Sequence, residues 1–211
     1  MSSDRARTKV YVDGLNLYYG VLRNTRFKWL DLQGFFKRIR PHDDILAIYY
    51  FTALVGGTAR LRQRAYLDGL ASCPLVKIIP GAFKKKVVKC VVEKCSYTGR
   101  RTFVRQEEKY TDVQIAIEML HDAYNGCTDR FVLVTADSDL VPAVRAVKDL
   151  CPGSQVTVYL PGSHPRRLRA HELRSVSDKA RALPLSCLRH SQLPPIVRLG
   201  DGREIHRPRQ W

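Results

Sequence analysis

Residues 133–142 read LVTADSDLVP, and the order of strand, aspartates and helix in this stretch decides the fold. The apolar residues at its start lack clean alternation, which is typical of a strand buried on both faces of a parallel sheet. Asp137 and Asp139 follow that run directly. The same arrangement occurs near the N-terminus, where the apolar run 10–12 precedes Asp13. Two buried strands that both end in aspartates predict an α/β fold with acidic residues at the ends of its strands.

The rest of the chain repeats this alternation of strands and helices. Strand-like runs occupy residues 10–12, 45–51, 76–79, 131–135 and 156–160. Helical patterns occupy residues 30–39, 60–70, 111–123 and 140–150. Such alternation predicts right-handed βαβ units with helices on both faces of one sheet. We therefore predict a three-layer α/β fold around a mostly parallel five-stranded sheet of order 3-2-1-4-5.

Residues 82–106 break the alternation. Two β-prone runs there are separated by the turn-like sequence at 96–99, so we predict a basic β-hairpin inserted before the helix that begins at Thr111. Lys94 adds to its charge, and Tyr97 and Phe103 could stack on bases. The alternative is a merely solvated basic face. The residues that we expect to contact RNA are Lys84, Lys85, Lys86, Lys89, Arg100, Arg101 and Arg105.

The chain divides into one domain and a short tail. We assign residues 8–190 to the domain and predict that residues 191–211, which are basic and contain prolines, form a tail with little core of its own. The absence of an N-terminal apolar segment and of any run of about 18 apolar residues predicts a cytoplasmic protein that does not contact membranes. Homo-oligomerisation stays open.

The charge is unevenly distributed. The chain carries a formal net charge of +16, yet residues 111–160 hold 3 Lys and Arg against 7 Asp and Glu. A basic surface attracts a polyanion such as nucleic acid, whereas an acidic patch repels it unless cations intervene. Charge alone fits a metal site that faces a phosphate backbone about as well as it fits a generally basic, solvated surface.

The six cysteines give little indication of a function. Without a secretory signal, their scattered positions favour free thiols over a disulfide framework. Cys90 and Cys95 lie on the predicted hairpin and could supply two zinc ligands, but a structural zinc site normally needs four. No Gly-x-Gly-x-x-Gly follows the first strand, which disfavours dinucleotide binding.

Four aspartates are expected to share one edge of the sheet. Asp13 follows the first strand and Asp137 and Asp139 follow the fourth, so they flank the point where strand order reverses. Asp112 opens the helix that leads into the fourth strand. Carboxylates gathered in one place raise each other's pKa unless a cation neutralises them. Hard oxygen ligands suit Mg²⁺ or Mn²⁺, which predicts a metal-dependent phosphodiester hydrolase.

Each acid also has an ordinary structural explanation. Asp112 and Asp139 could cap helices, while Asp13 and Asp137 could simply begin a turn and a loop. Asn16, Thr135 and Ser138 could orient the carboxylates or a metal-bound water, or they could be capping and turn residues.

Three blocks of sequence resemble the signature blocks of the NYN domain family, in particular its bacterial LabA-like branch. The blocks are VYVDGLNL at 10–17, KYTDV at 109–113 and LVTADSDLVP at 133–142. The resemblance, which covers roughly residues 8–161, implies a PIN-like fold and a metal-dependent ribonuclease, with Asp13, Asp112, Asp137 and Asp139 as the acidic residues that bind metal and act in catalysis. We expect an endoribonuclease that acts on RNA with Mg²⁺ or Mn²⁺.

Two other functions compete with this one. The first is a non-catalytic RNA-binding or regulatory protein that keeps a vestigial metal site. The second is a phosphatase or phosphotransferase with Asp13 as nucleophile, which is disfavoured because Leu15, not an acid, lies two residues later.

Overall fold

A parallel sheet lies at the centre of the computed structural model, which describes residues 5–93, 95–162 and 170–211. Lys94 of the predicted basic hairpin lies outside these residues. The hairpin comprises β4 (Ala82–Lys89) and β5 (Thr102–Lys109). The strands of the sheet are β1 (Ala6–Asp13), β2 (Asp43–Thr52), β3 (Val76–Pro80), β6 (Arg130–Val134), β7 (Gln155–Leu160) and β8 (Lys179–Ala182). Their order is β3-β2-β1-β6-β7-β8, with every pairing parallel.

The prediction of a five-stranded sheet of order 3-2-1-4-5 was wrong in strand count and therefore in order. The sheet has a sixth strand, β8, which pairs with β7 and forms the outer edge. Its sequence, Lys-Ala-Arg-Ala, has no large apolar residue, and its residues are mostly exposed. Backbone pairing with β7 forms this strand, so the sequence carried no hydrophobic signal for it.

Helices cover both faces of the sheet, as the predicted three-layer arrangement requires. Tyr11 and Val12 are neighbours on the central strand β1, and they belong to separate buried clusters on opposite faces. Helices α2 (Leu32–Ile39) and α3 (Ala59–Ala71) pack on the face of Val12, whereas α4 (Thr111–Tyr124), α5 (Val141–Leu150) and α6 (His171–Val176) pack on the face of Tyr11.

One further helix, α1 (Gly14–Leu17), follows β1 directly and continues into a turn of π-helix, Tyr18–Leu22. Among residues 5–93, 95–162 and 170–211, no helix combines the length and the apolar character needed to cross a bilayer.

The inserted hairpin is confirmed, although it extends to residue 109. Strands β4 and β5 pair antiparallel as a separate two-stranded sheet, and their residues are mostly exposed. A single residue, Tyr110, separates the end of β5 from the start of α4. The base of the hairpin is thereby fixed next to the start of α4.

The C-terminal segment, which was predicted to be a tail with little core of its own, is packed against the domain. Leu193 and Val197 are buried, and the Trp29 indole N–H donates to the carbonyl oxygen of Pro194 at 2.8 Å. Trp211 contacts Trp29 and Tyr66, with ring centroids 6.3 and 5.8 Å apart. Apolar residues spaced among prolines pack here onto the α2 and α3 face, a long-range contact that composition does not reveal. The domain boundary at residue 190 stays a prediction.

Replacing Leu193 by Ala should destabilise the protein by about 2–4 kcal/mol, because it removes a buried side chain and leaves a cavity. Urea unfolding followed by tryptophan fluorescence measures this loss. The matched control is Ile196→Ala at a side chain that is 44% exposed, where a change under about 1 kcal/mol is expected. Equal effects at the two positions would contradict the packing of this segment.

Candidate metal centre

Asp13 ends the central strand in a fixed orientation. One carboxylate oxygen, Oδ1, accepts the backbone N–H of Asn16 at 2.9 Å. The other, Oδ2, accepts the Asn16 side-chain amide at 2.7 Å and the Thr135 hydroxyl at 3.1 Å. Burial raises the pKa of Asp13, whereas these three hydrogen bonds act to lower it. The carboxylate is therefore both desolvated and held in place.

Gly14 allows the chain to turn directly after Asp13. A Cβ at this position would lie 2.6 Å from the carbonyl oxygen of Phe51 and 2.7 Å from Cζ of Tyr50. These distances are shorter than van der Waals contact allows, so only glycine brings the start of α1 this close to β2. Asp13 therefore lies against the end of the neighbouring strand.

Thr135 links the ends of the two central strands. Its hydroxyl donates to Asp13 and accepts the backbone N–H of Asp137 at 3.1 Å. The carboxylate of Asp137 in turn accepts the backbone N–H of Asp139 at 3.1 Å. The aspartates that follow β1 and β6 are thus connected through one threonine.

Asp112 reaches the same edge from the first turn of α4. One oxygen each of Asp112, Asp137 and Asp139 can be chosen so that all three lie within 4.8 Å of one another. Burial raises the pKa of Asp112 to about 6, and the charges of Asp137, Asp13 and Asp139 add to that rise. Within the described residues Asp112 accepts no hydrogen bond, so no donor among them compensates for its negative charge.

The capping roles differ from those that the sequence suggested. Asp13 and Asp137 cap the turns that follow their strands. Asp112 lies inside the first turn of α4, whose N-cap is Tyr110 in a left-handed conformation with φ 82°. Asp139 does not cap α5, which begins after Leu140 without a side-chain cap. Capping therefore does not account for Asp112 or Asp139.

Glu108 joins the acidic group, although sequence reasoning missed it. Burial raises its pKa to about 7, and the charges of Asp13 and Asp112 contribute to that rise. The carboxylate accepts a hydrogen bond from the Thr111 hydroxyl. The available signal was its position near the end of the hairpin, only four residues before Asp112.

The acidic group fits a hard divalent cation. Four aspartates and Glu108 lie at one edge of the sheet. Burial and the charges of neighbouring carboxylates raise the pKa of Asp112 and Glu108. Such a set of oxygens suits Mg²⁺ or Mn²⁺. A second candidate group, Glu118, His121 and Asp122, differs because Asp122 already accepts the Tyr11 hydroxyl and pairs with Lys9.

The other predicted site residues fall into two groups. Asn16 and Thr135 contact Asp13 directly, whereas in the described ranges the Ser138 hydroxyl makes no hydrogen bond to any of these carboxylates. All seven basic residues predicted to contact RNA are exposed on the hairpin or its loop. Lys84 Nζ lies 5.2 Å from the ring centroid of Tyr110, which connects the hairpin to α4.

The cysteines of the hairpin do not form a cluster of ligands. In the described ranges, which exclude Lys94, no group of three or more ligating side chains includes Cys90 or Cys95. All six cysteines are free thiols. Within the described ranges the pair therefore lacks the further ligands that a structural zinc site needs.

The comparison with known families agrees with this architecture. The model of the NYN domain matches residues 7–184. The chain belongs to the NYN domain family. That match includes the three sequence blocks, the inserted hairpin and all the acids of the candidate metal centre.

Two individual proteins are similar to this chain. The 6-hydroxy-3-succinoylpyridine 3-monooxygenase HspA of Pseudomonas putida (strain DSM 28022 / S16) is 34% identical over 179 residues, covering 70% of this chain and 57% of that protein. The chain thus spans just over half the length of that relative. The crystal structure of VPA0982, a Vibrio parahaemolyticus RIMD 2210633 protein of unknown function, superposes with a TM-score of 0.54 at 20% identity. It covers 87% of this chain and 96% of that one, and at this identity the likeness concerns the fold alone.

Removing the charge of Asp112 should stabilise the metal-free protein more at pH 7 than at pH 4.5. The folded pKa of about 6 lies above the ordinary value of 3.8, so the folded state holds a proton that the unfolded state releases. Stability from this group is therefore lost as pH rises between about 4 and 6. Thermal unfolding of wild type and Asp112→Asn in EDTA at both pH values measures the difference.

Asp149→Asn, at an exposed acid of α5, serves as the control for a simple change of net charge. It should shift the melting temperature similarly at both pH values. The same pH-dependent gain in both variants would show that repulsion within the carboxylate group is not the cause.

Proposed function

We propose that the protein is a metal-dependent ribonuclease that cleaves RNA internally, with Mg²⁺ or Mn²⁺ held by Asp13, Asp112, Asp137 and Asp139. The observation that carries the proposal is the uncompensated carboxylate group at the strand ends, above all Asp112, which accepts no hydrogen bond in the described ranges. Membership of the NYN family, a family of PIN-like nucleases, supports the same chemistry.

The residues of the chain have separate tasks in this proposal. Asn16 and Thr135 fix the Asp13 carboxylate, so its oxygens need no rearrangement when a cation binds. Glu108 accepts the Thr111 hydroxyl and thereby helps to fix the first turn of α4, from which Asp112 projects. A bound divalent ion supplies Lewis-acid stabilisation of the phosphodiester and lowers the pKa of a water molecule.

The basic hairpin provides the contact to the RNA backbone. It carries seven exposed basic side chains and is joined through Tyr110 to the helix that bears Asp112. Lysine and arginine attract phosphates without regard to sequence. A strand of RNA bound along the hairpin is thereby brought to the carboxylate edge.

A nucleophilic role for Asp13, as in a phosphotransferase, is disfavoured by its environment. The side chain is 3% exposed and both oxygens accept hydrogen bonds. A nucleophile needs an accessible oxygen along the line of attack. These contacts suit a fixed ligand better than an attacking group.

Purified protein should cleave single-stranded RNA in Mn²⁺ and should stop when EDTA is added. Asp13→Asn should lower the rate by at least about a hundredfold, because one anionic ligand is lost where charge must be neutralised. A labelled circular RNA reports internal cleavage directly. The control is Asp149→Asn, which should cut at the wild-type rate.

Equal cleavage by the Asp13→Asn variant would overturn the proposal. RNA that binds but is not cut with any divalent metal would instead support the non-catalytic RNA-binding alternative.

Replacing both Lys84 and Lys85 by Ala should weaken RNA binding and reduce its salt dependence. Each lost phosphate contact should lower the slope of log K against log salt by about 0.7 for a single strand, or about 1.4 for both. Fluorescence anisotropy in EDTA measures the slope without cleavage. The matched control replaces Lys37 and Lys179, exposed lysines in the last turn of α2 and at the start of β8. An equal loss in the control would contradict a role for the hairpin.

A further inference from the structure

A cavity of about 460 Å³ opens beside the carboxylate edge of the sheet. Gly14 and Leu15, which directly follow Asp13, line this cavity. Thr52 at the end of β2 also lines it. The described residues that line it do not include the acids of the candidate metal centre. The volume lies in the range of ordinary small-molecule sites. The cavity is thus a separate space that starts one residue away from the candidate metal centre.

Aromatic rings form much of the cavity wall. Tyr50 and Tyr66 are 5% and 4% exposed and meet edge to face with centroids 6.2 Å apart, and Trp211 lies against Tyr66. Trp211 is only half-buried, so its ring is the most accessible of the three. Tyr18 and Tyr19 line another part of the wall. Aromatic side chains are the surfaces on which unpaired bases stack, largely independently of sequence. The wall therefore suits a flat, aromatic ligand.

The polar residues of the cavity favour an anionic ligand. Lys28 and Arg62 line it, and neither is paired with a carboxylate in the described part of the chain. The part of its lining that the structure describes contains no Asp or Glu. The side chains of Gln106 and Gln210 also line it, and their amides make no hydrogen bond in the described ranges, so they are available to a ligand. An aromatic ring that carries a phosphate fits this combination.

The cavity is continuous with the basic hairpin. Gln106 belongs to β5 and pairs directly with Lys85 on β4. A polyanion that runs from the basic side chains of the hairpin to the carboxylates therefore passes the cavity. This continuity favours a nucleotide within a strand over a free small molecule.

We propose that this cavity is a base-binding subsite, which takes one unpaired nucleobase of single-stranded RNA next to the phosphodiester at the carboxylates. The base stacks on the aromatic wall, and Arg62 contacts a neighbouring phosphate. The inference rests on the proposed function, because it takes RNA as the ligand. It adds a preference for unpaired RNA, since a base held in a duplex cannot enter the cavity.

Binding of short single-stranded RNA oligonucleotides in EDTA tests the subsite without cleavage. An abasic nucleotide is moved through the oligonucleotide one position at a time. Loss of the base should weaken binding about tenfold at one position and little elsewhere. A 2-aminopurine at that sensitive position should lose fluorescence on binding, because stacking quenches it.

Ala59→Trp fills the cavity from the first turn of α3 without removing any contact that the wall makes. In this variant the intact and abasic oligonucleotides should bind equally. Arg62→Ala should weaken binding of both. The control is Arg64→Ala, at an exposed residue of the same helix that does not line the cavity. It should keep the wild-type sensitivity to the abasic position, and unchanged melting temperatures would show that the variants are folded.

The inference is overturned if no position is sensitive, or if Ala59→Trp leaves the sensitivity unchanged. A second experiment measures the binding of nicotinate, a small aromatic carboxylate, to the wild-type protein and to Ala59→Trp. Binding of nicotinate that Ala59→Trp abolishes, with no abasic effect in RNA, would assign the cavity to a free aromatic acid and overturn the base subsite. Cleavage in Mn²⁺ without base sensitivity would overturn the subsite alone, whereas base sensitivity without cleavage would overturn the ribonuclease alone.

Discussion

The hydrogen bonds of Thr135 tie together the ends of the two central strands, and the candidate metal centre depends on them. The hydroxyl donates to Asp13 and accepts the N–H of Asp137. Parallel strands deliver their carboxyl ends to one edge, but that geometry alone does not orient a side chain. Thr135 and Asn16 fix the direction of the Asp13 carboxylate, whose charge is disfavoured by burial, and the backbone N–H of Asp139 donates to the carboxylate of Asp137.

The carboxylates at this edge repel one another, and basic side chains lie near them on the hairpin. Asp112 and Glu108 have raised pKa values because they are half-buried among other acids. A few residues away, the hairpin carries exposed lysines and arginines that belong to no compensating pair with this group. Among the described residues the structure thus keeps opposite charges apart, where a simply stable protein would pair them. Such separation is typical of a site that receives both a cation and an anionic strand.

The local sequence pattern predicted a strand or helix correctly wherever its buried residues follow one another along the chain. The runs around Val12 and Leu133 are strands, the hairpin is present, and Asp112, Asp137 and Asp139 approach one another at the edge where β1 ends in Asp13. Pattern failed where a contact is made over long range. Strand β8 forms by pairing with β7 and has no apolar signal, and Leu193 and Trp211 pack onto residues more than a hundred positions away. The capping roles also differed, because a side chain's hydrogen bonds depend on the turn that the backbone takes around it.

The sequence by itself predicted the α/β class, the inserted basic hairpin and the four aspartates that we propose as metal ligands, because each follows from the order of residues along a segment. Only the tertiary structure decided that Glu108 joins those acids, that Thr135 orients the carboxylate of Asp13, and that an aromatic cavity adjoins them. These features bring together β1, β5, α4 and the C-terminal segment. Their contacts depend on how separate segments pack in space. The distances between these segments and the burial of their side chains cannot be read from the order of residues.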